Sequence, residues 1–410
     1  MQTYQITRLG HQGDGIAHTD SGPVFAPITL PGEEVTGTLD GQRLRDVRIV
    51  TPSEDRVAAP CRHYKSCGGC QLQHASDDYV ADWKTTVVQQ ALAAQGLEAE
   101  FRPILTSPPQ TRRRASLSVR RTKKAAMAGF HAKGSDVIVQ VPECQLLHPE
   151  LVQATTVAEK LATIGGSRKG ELSVLATMSE TGLDLAVTGG KPLDEQLRIS
   201  LSAEVEAFRL ARLSWDDEVV GQREPPLQSF GAAKVAPPSG AFLQATPQGE
   251  LDLLTAVQEI VGNAKHVTDL FAGCGTFALP LAANAEVHAV EGEKAMMAAL
   301  DLGWRRAQGL KKVTHEPRDL FRRPLMPDEL EKTDAVVIDP PRAGAEAQVR
   351  ELAESQVPVI AFVSCNPVTF ARDAKILTDG NYQLHWVQVV DQFRWSSHVE
   401  LVAKFTRKGI

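Results

Sequence analysis

Four of the six cysteines in this 410-residue chain are placed to act together. Cys61, Cys67 and Cys70 are spaced Cys-x5-Cys-Gly-Gly-Cys, and Cys144 follows in VPECQLLHP. Such clustering points to metal ligation before disulfides. The Cys-x2-Cys arm lets two thiolates face one centre, and Gly68-Gly69 lets the backbone fold tightly around a bulky inorganic group. Four thiolates suit either a cubane iron–sulfur cluster or a tetrahedral zinc ion, and spacing alone leaves both open.

Cys365 has a different setting. It lies in Ser364-Cys365-Asn366-Pro367, just after the apolar run VPVIAFV, between polar neighbours. A thiol at a strand end, open to a crevice, is placed to act as a nucleophile. The strand is one of four similar runs, HVTDLFAG, AEVHAVEG, TDAVVIDPP and VPVIAFVSCNP, which alternate with helix-like segments after about residue 240. This alternation predicts a doubly wound, Rossmann-like α/β sheet that binds ligands at the carboxyl ends of its strands.

The first run ends in DLFAGCGTFA, where Gly273 and Gly275 allow a sharp turn and close approach of a ligand. Cys274 is assigned to packing. Glu291, 22 residues after Asp269, ends the second run, where a carboxylate can accept hydrogen bonds from ribose hydroxyls. These features also fit a nicotinamide or flavin enzyme. The third run, ending Asp339-Pro340-Pro341-Arg342, argues against hydride transfer, because a rigid prolyl pair suits the orientation of a planar base beside a methyl donor. Methylation of an exocyclic nitrogen is disfavoured because Arg342 stands where such enzymes place a stacking aromatic.

The scaffold around these residues is legible in outline. Hydrophobic residues make up 42% of the chain and charged residues 23%, ordinary globular usage that excludes a largely disordered chain or a disulfide-stapled miniprotein. No apolar run approaches membrane-spanning length and the start lacks a signal-peptide pattern, so the expectation is a cytoplasmic chain without membrane association. The expected oligomeric state is a monomer. Residues 1–52 alternate short apolar runs with Gly and Pro, as in a small all-β barrel with tight turns. Residues 53–240 are expected to form a central α+β domain that carries the cysteine loop and a helix capped by Ser76 and ending before Gly96. Residues 241–410 form the Rossmann-like domain. The net charge of −6 argues against nonspecific coating of nucleic acid, yet 111–135 holds eight basic residues and no acid. Its alternation predicts a β-ribbon, with Arg112, Arg113, Arg114, Arg120 and Arg121 as phosphate contacts.

Taken together, these motifs resemble the S-adenosylmethionine-dependent RNA uracil-C5 methyltransferases over nearly the whole length. The resemblance rests on an N-terminal barrel like the OB-type TRAM domain, Cys-x5-Cys-x2-Cys…Cys, DLFAGCGTFALPLA, DPPR, SCNP and the C-terminal DQFRWSSHVELV. It implies that Cys61, Cys67, Cys70 and Cys144 ligate a [4Fe-4S] cluster. It also implies that Gln244, Phe271, Thr276, Glu291, Asp319 and Asp339, with Gly273 and Gly275, meet S-adenosylmethionine. Cys365 becomes the nucleophile toward carbon 6 of uracil, Glu400 the base that removes the carbon 5 proton, and Arg342 a group for the developing enolate or a phosphate. The implied substrate is an unpaired or flipped uridine, in ribosomal ahead of transfer RNA, because the target carbon is inaccessible in a stacked helix. The different-class alternative is a noncatalytic RNA-binding or redox-sensing protein. Two departures from the family pattern stand out: Arg394 and Ser396 replace the usual proline and threonine, and Thr276 stands where relatives carry asparagine.

Overall fold

Short apolar stretches separated by glycine and proline cannot form long strands, and in this chain they close on themselves. The computed structural model describes residues 2–409. Strands β1 (Thr3–Leu9), β2 (Gly15–Thr19), β3 (Gly22–Ala26), β4 (Glu34–Asp40) and β5 (Arg43–Thr51) form a closed barrel in the order β1-β2-β3-β5-β4. Tyr4, Ile6, Ala17, Val24, Val35 and Leu44 fill its interior. Glu33, fully buried, accepts the backbone N–H groups of Leu30 and Ser53 and pairs with Arg56, which latches the barrel to the chain that follows.

Helix α1 (Asp77–Ala93) begins as its sequence signals require, with the Ser76 hydroxyl accepting the Tyr79 N–H at 3.2 Å. Strand β6 (Glu100–Thr106) follows. A second sheet is built from β7 (Arg114–Arg121), β8 (Ala126–His131), β9 (Ile138–Val139), then, beyond the helices α2 (Pro149–Val152) and α3 (Ala154–Gly165), β10 (Leu172–Ser179) and β11 (Gly182–Thr188). After α4 (Glu195–Ala207) come β12 (Arg212–Trp215) and β13 (Glu218–Gln222), giving the order β13-β12-β11-β10-β7-β8-β9. The basic stretch is the antiparallel β7–β8 ribbon, with Arg120 opposite Met127. Residues of α3 and α4, such as Leu161 and Leu201, pack with Leu117, Val174, Leu185 and Trp215 of the sheet as one core.

A two-stranded ribbon, β14 (Gln228–Phe230) and β15 (Ala233–Val235), leads into the C-terminal layers. These comprise α5 (Pro247–Val261), β16 (His266–Leu270), α6 (Ala278–Leu281), β17 (Glu286–Glu291), α7 (Lys294–Arg306), β18 (Val313–Pro317) and β19 (Ala335–Ile338). They continue with α8 (Glu346–Glu354), β20 (Val359–Ser364), α9 (Pro367–Asp379), β21 (Tyr382–Asp391) and β22 (Leu401–Arg407). The eight-stranded sheet runs β18-β17-β16-β19-β20-β22-β21-β6. One face carries the core of Leu253, Val257, Phe277, Met297 and Leu300, and the other that of Val88, Leu92, Val349, Phe370 and Leu377. The four strands expected from the apolar runs are β16, β17, β19 and β20. Strand order reverses direction at β16, which leaves a crevice between the carboxyl ends of β16 and β19.

The stretch 53–240, expected as one central unit, is divided among three sheets. Helix α1 packs its buried Val88 and Leu92 into the C-terminal core, and β6 pairs in parallel with β21 at the sheet edge. An edge position tolerates Pro103, which has no N–H to offer a second neighbour. Arg102 secures that edge by stacking over Trp386 at 3.6 Å and forking onto Glu259.

The contact that joins α1 to the crevice is buried. Lys84 donates to Asp391 Oδ1 at 2.5 Å and to the Phe393 carbonyl at 3.1 Å, and both charged side chains are essentially without solvent exposure. Removing one partner strands the other charge. Lys84→Met is expected to lower unfolding free energy by about 3–5 kcal/mol, and adding Asp391→Leu to restore part of that loss, as measured by denaturant unfolding of the three variants.

Candidate active site

Sheet register brings the chemistry to one edge. Leu270 pairs with Ile338, Ile338 with Phe362, and Ser364 with Leu401. The residues just beyond these pairs are therefore Phe271, Asp339, Cys365 and Glu400. Strand β22 runs antiparallel to β20, so Glu400 precedes its first residue at the same end where Cys365 leaves β20. Glu400 is only 2% exposed, whereas Cys365 is partly open.

The loop after β16 is shaped for a ligand. Phe271 adopts φ +61°, strained for a bulky residue, and Gly273 and Gly275 adopt φ +55° and +96°. A Cβ on Gly273 would project into open space, so the backbone is bare where a cofactor would approach. Glu291 braces this turn by accepting the N–H groups of Gly273 and Glu293, each at 3.1 Å. Behind it, Asp269 is wholly buried and neither carboxyl oxygen has a hydrogen-bond partner. Burial, then the neighbouring Asp339, holds its pKa well above the usual range. A cationic ligand would relieve that cost. Thr276 lies within the loop, partly buried, and Asp319 accepts the Phe321 N–H from an exposed position further round the rim.

The crevice is crowded with carboxyl groups. Burial raises Asp339 to about 7, and burial followed by the charge of Asp339 pushes Glu400 well above its ordinary value. Burial, Glu400 and Asp339 together raise the Cys365 thiol to about 12, against the pull of Arg342. At neutral pH Cys365 therefore rests as a thiol beside carboxyl groups able to take its proton. Exposed Arg342 donates to His398 Nδ1 at 2.6 Å, and burial together with Arg342 keeps that imidazole neutral. Gln244 Nε2 donates to Asp339 at 3.2 Å, and the side chain of Gln392 bonds both Gln244 and Glu400.

The segment 391–398 is held from three sides. Lys84 grips Asp391, while the N–H groups of Gln71 and Leu72 donate to the Trp395 carbonyl at 2.8 and 3.0 Å. Arg394 pairs with Asp77 at the start of α1, donates to the Ser107 carbonyl and lies over Trp395. An ion pair thus does the anchoring at the position where the family motif has proline. Ser396 still accepts the His398 N–H at 3.2 Å, so the hydroxyl survives the change from threonine.

Cys61, Cys67, Cys70 and Cys144 line one cavity of about 510 Å³, which Arg112, Ser396, Ser397 and His398 also border. A single zinc ion would require sulfurs at about 2.3 Å from one point. Among the described residues no group of three or more His, Cys, Asp or Glu gathers tightly enough to hold one metal ion.

The arginine cluster departs from expectation. Arg113 is 9% exposed and is tied to Glu250 at 2.5 Å and to the Gln244 carbonyl, so it links the central sheet to the cofactor side and has no free face for phosphate. Strand alternation turned it inward. Arg112 faces the cysteine cavity, and Arg114 lies over Phe242 at 5.6 Å. Arg120 pairs with Glu171, and Arg121 donates to the Gly166 carbonyl. Sequence reasoning missed Gln392 and Lys84. Asp391 and Phe393 lie in the C-terminal motif, but nothing local marks a lysine 307 positions before Asp391 as their partner.

Comparison with known proteins fits this geometry. Residues 236–408 match the family model described as tRNA (uracil-5-)-methyltransferase. The chain is 46% identical to an uncharacterized RNA methyltransferase of Mesorhizobium japonicum, over 98% of this chain and 97% of that protein. It is 33% identical to the 23S rRNA (uracil(1939)-C(5))-methyltransferase RlmD of Halomonas elongata, over 96% of this chain and 87% of the relative. Its fold matches the Pyrococcus abyssi tRNA (uracil-54, C5)-methyltransferase, solved with S-adenosyl-L-homocysteine, with a TM-score of 0.75 at 22% identity over 98% and 99% of the two chains. With full-length relatives at this level of identity and a shared architecture of barrel, central sheet and Rossmann-like layers, the chain belongs to the RNA (uracil-5-)-methyltransferase family.

Proposed function

We propose that the protein transfers a methyl group from S-adenosylmethionine to carbon 5 of a uridine in ribosomal RNA, through a covalent adduct between Cys365 and carbon 6. The observation that carries this reading is the pairing of Ser364 with Leu401, which sets a partly open thiol opposite a buried carboxyl group. A relic domain would have no use for a costly buried glutamate. The choice of ribosomal RNA is supported by the Halomonas relative, which is closer in sequence than the archaeal tRNA enzyme.

Carbon 5 of uracil is a weak nucleophile until a thiolate adds to carbon 6. Asp339 takes the Cys365 proton and the sulfur–carbon bond forms, which leaves the Glu400 carboxylate free for the later step. Arg342 stands where negative charge develops on the ring. Carbon 5 then takes the methyl group from the sulfonium, leaving a carbon that bears both methyl and hydrogen. Glu400 removes that proton, the ring double bond re-forms, and Cys365 departs as thiolate. Gln244, Phe271, Gly273, Gly275, Thr276, Glu291, Asp319 and Asp339 surround the cofactor's place, and a cationic donor bound there would favour the ionised form of the buried Asp269. Arg112, Arg114 and Arg342 are the basic side chains placed for RNA phosphates along the crevice and cysteine cavity. The bound uridine must be unpaired or flipped to reach Cys365.

Cys61, Cys67, Cys70 and Cys144 are assigned to a [4Fe-4S] cluster, for which one cavity lined by all four thiols is a fitting cradle. When bound, such a cluster ties four thiolates together and adds its binding energy to folding. The chain's own part is to seat the 391–398 segment, because Gln71 and Leu72 of this loop hold Trp395.

Two measurements check these assignments. Incubation with labelled S-adenosylmethionine and unmodified ribosomal RNA, followed by nucleoside analysis, is expected to yield 5-methyluridine, with Cys365→Ala reducing the yield by about 10³-fold or more. Label in another nucleoside would contradict the proposal. Protein purified without oxygen is expected to contain iron and acid-labile sulfide in equal amounts, and Cys70→Ser to lose both and to melt at a lower temperature. Zinc without sulfide would refute the cluster.

A further inference from the structure

The polarity of the hydrogen bonds around Glu400 is dictated by one backbone amide. Ala245 N–H donates to Gln392 Oε1 at 2.7 Å. That oxygen can only accept, so Gln392 must turn its Nε2 toward its other neighbours. Nε2 accordingly donates to Gln244 Oε1 at 2.6 Å and to Glu400 Oε2 at 3.0 Å. With its oxygen taken, Gln244 must in turn aim its own Nε2 at Asp339. Two carboxamides thus bridge two carboxyl groups, and both present donors. The arrangement is closely packed: Gln392 is 1% exposed, and a Cβ on Gly249 in the first turn of α5 would lie 2.6 Å from the Gln392 Cβ.

Resting on the function proposed above, we infer that Gln392 is the positioning residue that holds Glu400 as an ionised hydrogen-bond acceptor, ready to take the carbon 5 proton. Donors aimed at a carboxylate favour its charged form. Glu400 is otherwise faced by Asp339 beyond β19, Cys365 beyond β20 and Arg342 in the turn that follows Asp339, with His398 bonded to that arginine. Asp339 opposes ionisation of Glu400, and exposed Arg342 favours it. Gln392 is the neutral group that gives Glu400 a direct bond, and it is fixed by Ala245 rather than by the substrate. Asp391, gripped by Lys84, sets the backbone from which Gln392 projects.

The sign of the pH effect follows. Loss of the Nε2–H donor raises the pKa of Glu400, and a base works only above its pKa, so the acid limb of the rate profile moves to higher pH. For Gln392→Met, single-turnover release of 5-methyluridine RNA is expected to fall about tenfold at pH 6.5 and to recover to near wild type by pH 9, a shift of about one pH unit. Gln392→Glu keeps an acceptor for Ala245 N–H and adds a third carboxyl group, and its acid limb is expected to move in the same direction if the methionine variant does not fold. A profile that superimposes on wild type, or a loss equal at every pH, would overturn the inference. Failure of the wild type to form 5-methyluridine would instead overturn the proposed function.

Discussion

Glu400 and Asp339 are carboxyl groups at the ends of β22 and β19, on either side of β20, in surroundings too dry for both to ionise freely. Like charges at such range titrate as a pair, one proton being shared between two sites whose environments decide where it stays. Burial raises the basicity of the glutamate, as the proposed reaction requires of it, and it is also what makes the site costly to fold. The surrounding structure offsets this cost with aimed hydrogen bonds more than with cations. Gln244 and Gln392 present N–H groups, and Arg342 lies at the exposed rim. A sulfonium donor entering beside Asp269 and Asp339 would bring a positive charge to carboxyl groups that lack one, so cofactor binding and carboxylate ionisation favour each other.

That arrangement requires the 391–398 segment to stay in place, and parts distant in sequence share the task. Lys84 of α1 holds Asp391, Asp77 of the same helix holds Arg394, and the cysteine loop holds Trp395 through two backbone hydrogen bonds. The helix and loop lie between the barrel and the central sheet in sequence, yet both bear on the segment that leads to Glu400. The cysteine cavity is also bordered by Ser396, Ser397 and His398, which sets the cysteine loop against the rim of the crevice. No electron is needed for methyl transfer, and a tie of this kind gives the cysteines a role in geometry.

The strands β16, β17, β19 and β20 were legible because each is a short apolar run ending in small or polar residues, and the Ser76 cap marked α1. Strand β6 was not, since Pro103 interrupts its pattern and its partner β21 lies far along the chain. Cys365 stood out by its neighbours. Glu400 did not by itself, because a single charge between Val399 and Leu401 looks like an exposed strand position, and only the pairing of β20 with β22 shows it buried. The triple arginine misled for a related reason: composition reports charge, but alternation along the strand turns Arg113 inward to Glu250. Gln392 carries no signal, because an uncharged side chain becomes informative only when its partners are known.

The central claim is that addition and elimination at uracil are divided between Cys365 and Glu400. It is tested most directly by mass spectrometry of the protein–RNA species formed by Glu400→Gln with S-adenosylmethionine and ribosomal RNA. The account predicts a denaturation-resistant adduct on the peptide containing Cys365, whose uracil already carries the methyl group, because transfer precedes the step that needs the base. Wild-type turnover by this variant with no adduct, or an adduct on another residue, would contradict it.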